Sequence, residues 1–200
     1  FRSVYESHRP ESSEFRRHLM EIVKTRKSRS QVAEKILVIG PGMGHELLTL
    51  LEEFPESDFY AVDINPLAVA NTRANVTLAE KLGYKTDKVR VVEGDVFSSP
   101  VVRDAGTFDL IVFNAPLLDW DTNVSLEDAA VFSSGLDTFL EECANYLTSS
   151  GAVILGMDNV LTGFQGLRVF YPYGLEVVEE PRITTRTGSR SVFHLRKKPS

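Results

Sequence analysis

The chain has 200 residues, 42% of them hydrophobic, with a net charge of −6, which suits one domain with a sizeable core. That charge argues against a protein held to nucleic acid by its whole surface, though not against a local basic patch. One cysteine, scattered histidines, no apolar run near membrane-span length and no signal-peptide pattern set aside disulfide scaffolds, metal sites and membrane spans, leaving a cytoplasmic protein as the expectation.

Residues 1–10 are polar and carry Pro10, an extended arm; a segment before Phe1 is left open. Glu11 to about Lys27 reads as a helix, with Ser12 and Ser13 as caps and Phe15, Leu19, Ile22 and Val23 on one face. Arg16, Arg17, Lys24, Arg26, Lys27 and Arg29 make this the most basic stretch. A solvated face with a basic last turn is expected there, ahead of a nucleic-acid role.

Ile36 to Ile39 is an apolar β-type run that feeds into Gly40-Pro41-Gly42-Met43-Gly44. A helix follows from Glu46 to Phe54 and stops at Pro55. Strand, glycine turn and helix form the opening unit of a nucleotide-binding α/β fold. Glycines let the backbone turn sharply and keep Cβ atoms away from a ligand. Phe59 to Asp63 is a second strand with a carboxylate at its tip, and Asn65-Pro66 opens the next helix. Leu67, Val69, Ala70, Ala74, Val76, Leu78, Ala79 and Leu82 are expected on its buried side, with Gly83 ending it.

Val89 to Val92 is a third strand and leads to Glu93-Gly94-Asp95. A loop, Val96 to Pro100, and a short irregular piece to Gly106 follow. Phe108 to Phe113 is a fourth strand, ending in Asn114-Ala115-Pro116-Leu117. Ser125-Leu126-Glu127-Asp128 has the character of a helix start, and Phe139, Leu140, Cys143, Ala144 and Leu147 continue the helix to a turn at Ser149-Ser150-Gly151. Ala152 to Gly156 is a fifth strand. Leu175 to Glu179 and Ser191 to Arg196 form a hairpin around a turn at Arg186 to Arg190. Alternating strands and helices call for a parallel sheet with right-handed crossovers.

Small or polar groups at the carboxyl ends of successive strands mark where open α/β sheets bind ligands. Asp63, at a strand tip after a glycine turn, is placed to accept ribose hydroxyls; apart from that context it would be a helix-cap acid. Asp95 is a weaker case, because Asp is common in turns for local reasons. The Asn114 side-chain oxygen is able to accept a hydrogen bond from an amino group. Trp120, the only tryptophan, is either a pocket wall or a core aromatic. Asp119 and Asp121 are candidates to hold a cationic amine, and Tyr5, Tyr171 and Tyr173 to form a lid.

The order Gly40, Gly42, Gly44, then Asp63, Asp95 and Asn114-Ala115-Pro116-Leu117 resembles class I S-adenosylmethionine-dependent methyltransferases, from about Lys35 to Met157. The last motif is similar to the Asn-Pro-Pro-aromatic motif of the amino-methylating branch, which includes HemK-like glutamine and RNA-base methyltransferases. The resemblance implies a Rossmann-like α/β fold: a mostly parallel sheet of about seven strands, an antiparallel C-terminal hairpin and helices on both faces. Residues 1–34 would be an arm and leading helix that closes over the cofactor, and 35–200 one methyltransferase-like domain. It implies S-adenosylmethionine as donor, with S-adenosylhomocysteine as product. The donor would be held by Gly40, Pro41, Gly42, Gly44, Asp63, Ile64, Asp95, Val96 and Asn114. Asn114 and Pro116 would take the catalytic role, and Leu117 and Trp120 would line the acceptor site.

Two departures stand out. Val38 occupies the place of an acid that helps hold the donor's ammonium, and the fourth motif has Ala115 and Leu117 where a proline and an aromatic are usual. Methyl transfer from a sulfonium is an in-line displacement, so positioning is the main requirement and no metal is needed. The expected acceptor atom is a nitrogen, on a protein or small molecule in preference to a large RNA, and a homodimer is the assembly envisaged. The alternatives are an aminopropyltransferase related to spermidine synthase, against which Asn114 stands, and a non-catalytic partner subunit. A nicotinamide-dependent oxidoreductase would call for glycine at His45.

Overall fold

The computed structural model describes residues 10–31, 33–115, 133–158, 166–179, 182–184 and 189–199. The first half runs α1 (Pro10–Ser28), β1 (Lys35–Ile39), α2 (His45–Glu53), β2 (Asp58–Asp63), α3 (Pro66–Lys81), β3 (Val89–Glu93), α4 (Pro100–Ala105) and β4 (Phe108–Asn114). Then come α5 (Ser133–Glu142), a 3₁₀ turn (Cys143–Tyr146), β5 (Leu147–Asp158) and a 3₁₀ segment (Gly166–Tyr173). The chain finishes with β6 (Leu175–Glu179), β7 (Arg182–Thr184) and β8 (Ser189–Lys197).

The strands form one sheet in the order β3-β2-β1-β4-β5-β8-β6, with β7 also paired to β8. β1 to β5 are mutually parallel, and β8 runs antiparallel between β5 and β6. This is the Rossmann-like arrangement of class I methyltransferases. From β1 the chain steps outward to β2 and β3, then returns to the other side of β1 as β4. The reversal leaves a crevice at the carboxyl ends of β1 and β4, where this type of sheet takes its ligand.

Period-two alternation sends neighbouring β1 residues to opposite faces. Ile36 and Val38 pack with Phe15, Leu19 and Val23 of α1 and with Leu47 and Leu50 of α2. Leu37 and Ile39 pack on the other face with Phe97, Val102, Phe139 and Leu140. Full burial of such side chains contributes about 1.5–3 kcal/mol each. Phe97 stacks on Tyr146 with ring centroids 4.3 Å apart. α1 is therefore seated on the sheet by its Phe15–Val23 stripe.

Several local expectations are corrected. Ser12 and Ser13 lie inside α1, which starts at Pro10, and Ser12 is buried. α3 buries Ala68, Val69, Thr72 and Ala79, whereas Leu67 and Leu78 are each 54% exposed and Leu82 is 70% exposed. Ala70 and Ala74 are exposed as well. The helix lies over the β2–β3 margin, where little sheet is left to cover it, so small residues make the contact. Arg73 from this helix donates to the Val91 carbonyl of edge strand β3 at 3.1 and 2.7 Å, occupying part of the edge's free hydrogen-bonding row.

The piece before Gly106 is a helix, α4, started by Ser99-Pro100 and ended by Gly106 at φ 77°. Ser149-Ser150-Gly151 is part of β5, which begins at Leu147 and shifts register between Phe108 and Leu110 of β4. Propensity marks those residues as a turn, but they are extended, in the irregular stretch between the Phe108–Leu147 and Leu110–Ala152 pairs, where Thr148 Oγ1 donates to Asp109 Oδ1 at 3.1 Å. Cys143 is buried in the 3₁₀ turn, and burial pushes its thiol pKa up. β6 and β8 pair as expected, with the short β7 also joining β8. Ser189 and Arg190 belong to β8; the rest of the expected turn, residues 186–188, and the helix start at Ser125–Asp128 lie outside the described residues.

Candidate active site

Four strand ends meet at the carboxyl edge of the sheet. Ile39 of β1 lies beside Val62 of β2 and Phe113 of β4, and Asp63 lies beside Glu93 of β3. Gly40, Gly42 and Gly44 all have positive φ, at 61°, 56° and 86°. Residues with a Cβ are disfavoured in this region by about 1–2 kcal/mol each. Gly40 N–H donates to Val62 O at 2.8 Å, and Gly44 N–H to Pro41 O at 2.7 Å. The turn thus folds back on itself before α2.

Two side chains of α3 hold this turn from outside. Thr72 Oγ1 donates to Gly42 O at 3.0 Å, and Asn75 Nδ2 to Met43 O at 2.8 Å. A methyl on Gly44 would stand 3.2 Å from Thr72 Cγ2. Sequence reasoning misses both residues. The signal was a polar Thr72 on the helix's inner stripe, one turn after Ala68 and Val69.

Asp63 lies at the tip of β2 and is buried. Its Oδ2 accepts Gly42 N–H at 3.1 Å and its Oδ1 accepts Asn65 N–H at 3.0 Å. A carboxylate has about four lone-pair sites, so acceptor capacity remains for a ligand. The cap of α3 is Asn65, whose Oδ1 accepts Leu67 N–H at 2.9 Å. Asp63 therefore ties the glycine turn to the α3 start and does not cap the helix itself. Beside it, Ile64 is exposed at 45%, an apolar surface next to a buried acid.

Asp95 is exposed; its N–H donates to Ser98 Oγ at 3.0 Å and its carbonyl accepts Ser98 N–H at 2.8 Å. Val96 follows with φ 46° and a buried side chain. A β-branched residue at positive φ is strained, and burial of Val96 in the Phe97 cluster holds it there. Asn114 ends β4 opposite Gly156 of β5. Phe113 forms the floor of the turn, its ring 3.7 Å from where a Gly40 Cβ would lie.

α1 and α2 meet beside the glycine turn. Arg16 Nη1 lies 4.0 Å from Glu46 Oε1, and Glu46 is buried. Burial first, and then the Arg16 charge, lowers the His45 pKa; its Nε2 is buried with no hydrogen-bond partner. Val38, which stands where an acid was expected, is core-buried among the α1 and α2 side chains.

The sequence matches the family described as "Methyltransferase domain" over residues 30–181. The chain belongs to that family. This methyltransferase domain is 32% identical over 76 residues to a tRNA (guanine-N(7)-)-methyltransferase of Lactobacillus acidophilus, a match covering 38% of this chain and 33% of that protein. It is 34% identical over 89 residues to a release factor glutamine methyltransferase of Dictyoglomus turgidum, covering 44% and 30%. The chain thus spans about a third of the length of these curated relatives. In fold it resembles a ribosomal protein L11 methylase of Lactobacillus delbrueckii subsp. bulgaricus, with TM-score 0.67, 14% identity, and 98% of this chain and 82% of that one covered.

Within the methyltransferase domain, Gly40, Pro41, Gly42, Gly44, Asp63, Ile64, Asp95, Val96 and Asn114 all lie at strand ends or in the loops that leave them. Pro116, Leu117, Asp119, Trp120, Asp121 and Tyr5 lie outside the described residues. Tyr171 and Tyr173 precede β6, which runs parallel to β5. They are therefore at the sheet's amino end and do not form a lid over the glycine turn. Among the described residues no group of three or more His, Cys, Asp or Glu is arranged to hold a metal, and no helix is long and apolar enough to cross a membrane.

Proposed function

We propose that this chain transfers a methyl group from S-adenosylmethionine to a nitrogen acceptor. The observation that carries the proposal is the Asp63 carboxylate, buried and hydrogen-bonded to Gly42 N–H at the tip of β2. A turn with three glycines at positive φ leaves no Cβ between backbone and ligand. Asp63 would accept the ribose hydroxyls and Ile64 would cover one face of the adenine. Asp95 and the N–H of Val96 would meet the adenine edge, and Gly40, Pro41 and Gly44 would line the methionine side. When bound, the donor supplies a methyl already activated by its positive sulfur. The protein's part is to align the acceptor with it, which is where proximity gives most of its rate.

Asn114, at the end of β4 beside the turn, is the residue we assign to the acceptor. Its amide oxygen would accept an N–H and so point the nitrogen lone pair at the methyl carbon. Pro116 would stiffen the loop behind it, with Leu117 and Trp120 lining the acceptor side. The two curated relatives are named for modifying guanine N7 and glutamine, and both names support a nitrogen target. A protein or small molecule is favoured over a large RNA, because the basic side chains of α1 are largely engaged within the chain. Arg17 pairs with Glu14 and Glu21, Lys27 with Glu53, and Arg26 is buried. We take residues 1–34 as the segment that closes the donor end of the 35–200 domain.

Calorimetry with S-adenosylhomocysteine tests the donor site, with Asp63→Ala as control. Labelled S-adenosylmethionine incubated with separate protein, RNA and small-molecule fractions of a cell extract tests the acceptor. No detectable binding at millimolar S-adenosylhomocysteine would overturn the proposal; label found only in the RNA fraction would overturn the acceptor class.

A further inference from the structure

We infer that Gly156 of β5 and Phe15 of α1 together set the orientation of the Asn114 carboxamide, making both positioning residues for the transfer step. The inference rests on the acceptor role proposed for Asn114. Asn114 and Gly156 are direct partners in the parallel β4–β5 pair, and Ala115 N–H donates to Gly156 O at 2.9 Å. A methyl on Gly156 would stand 2.8 Å from Asn114 Oδ1 and 2.8 and 2.9 Å from Cδ2 and Cε2 of Phe15. Amide oxygen, ring edge and glycine α-carbon therefore converge on one point with no room for a Cβ.

Backbone conformation does not explain this glycine. Among the described residues the positive-φ glycines are Gly40, Gly42, Gly44, Gly83, Gly106 and Gly174, and Gly156 is not one of them. It lies within β5, between Leu155 and Met157, where a larger residue would favour the strand. Pairing with Asn114 and Val192 is regular at Gly156, so no bulge calls for glycine there, and close approach of another group is the reason that fits the distances above.

Phe15 cannot readily give way. It is fully buried, in the cluster that also holds Leu19, Val38, Val112 and Ile154. Packed interiors resist even one extra methylene. A Cβ at position 156 would therefore displace the more exposed partner, the Asn114 amide, from its rotamer. Displacement of about 1 Å at a reacting centre costs roughly 10²-fold in rate. The contact also explains how α1, distant in sequence from β4, reaches the acceptor end of the site.

The test is Gly156→Ala, compared with Asn114→Ala and Phe15→Leu. Asparagine-selective ¹⁵N labelling reports the side-chain amide pair, and its loss in Asn114→Ala identifies the Asn114 signal. In the S-adenosylhomocysteine complex of Gly156→Ala, that pair should shift while the other asparagine amides keep their positions. Donor affinity should stay within about threefold, and labelled methyl transfer to the acceptor fraction should fall about tenfold or more. An unmoved Asn114 signal, or parental transfer, overturns the inference. If Gly156→Ala fails to fold, Phe15→Leu decides. Lost transfer with a shifted Asn114 amide and retained donor affinity supports the inference, and an unchanged signal and rate defeat it. Full transfer by Asn114→Ala would instead remove the acceptor role on which the inference rests.

Discussion

The carboxylate of Asp63 accepts the backbone N–H of Gly42 at 3.1 Å. One acid at the end of β2 thereby holds the turn at the end of β1, and its other oxygen holds the start of α3. Asp63→Ala removes both links and the proposed ribose acceptor. S-adenosylhomocysteine binding should weaken by about 1.5–3 kcal/mol, the range for hydrogen bonds to a charged group. Calorimetry showing parental affinity in a folded variant would remove Asp63 from the donor site.

Burial raises the Asp63 pKa above the usual aspartate value, against the lowering effect of the Asn65 and Gly42 N–H groups. Protonation deletes an acceptor, so donor affinity should decline on acidification at a higher pH than an ordinary aspartate would give. Stability carries the opposite sign. The native state binds the extra proton, so the Asp63 contribution to folding is full at low pH and is lost as pH rises through the raised value. Asp63→Asn should abolish both dependences; binding curves across pH that superimpose on the parent's would contradict this assignment.

Gly44 combines a φ of 86° with a Thr72 methyl 3.2 Å from the missing Cβ. Gly44→Ala should cost about 1–2 kcal/mol of stability through backbone strain alone, with a further loss of donor affinity as the turn shifts. Thr72→Ser keeps the hydroxyl that donates to Gly42 O and clears the methyl. In the Gly44→Ala background it should recover part of the affinity. Urea melts and calorimetry on the three variants check this, and equal affinities for the single and double variants would refute it.

Asn114→Ala should separate binding from transfer. The donor is assigned to the glycine turn and Asp63, so its affinity should stay within a few-fold. The rate of transfer should fall by about 10²-fold or more, as when a contact made at the reacting centre is lost. Single-turnover transfer of label measures it. Full turnover would reduce Asn114 to a turn residue.

On β8, burial first, then the charges of Arg26, Arg29 and Arg196, push the His194 pKa down from 6.5 to about 4. Between these values the unfolded chain binds a proton that the native state refuses. The His194 contribution is therefore full above 6.5 and is lost as pH falls toward about 4. His194→Gln should flatten the stability profile across that window, read as denaturant midpoints at several pH values. A slope equal to the parent's would place the acid sensitivity elsewhere.

The strands at the centre of the sheet and the chemistry at their ends are legible in the amino-acid sequence. Ile36 to Ile39, Phe59 to Val62 and Leu110 to Phe113 are apolar runs that only a sheet covered on both faces can bury, and glycine, Asp63 and Asn114 follow them directly. Local pattern failed where a contact distant in sequence outweighed propensity. The leucines of α3 look like a buried face, yet the margin of the sheet leaves room only for Ala68, Val69, Thr72 and Ala79. Ser149 to Gly151 look like a turn, yet they run extended within β5, between the Phe108–Leu147 and Leu110–Ala152 pairs that anchor the strand to β4 on either side. The glycine turn was legible because its conformation depends on its own residues. Its supports, Thr72 and Asn75 on α3, and the convergence of Phe15 and Asn114 on Gly156 were not. Those contacts exist only once crossovers bring α1, β4 and β5 together, and no spacing within a single segment encodes them.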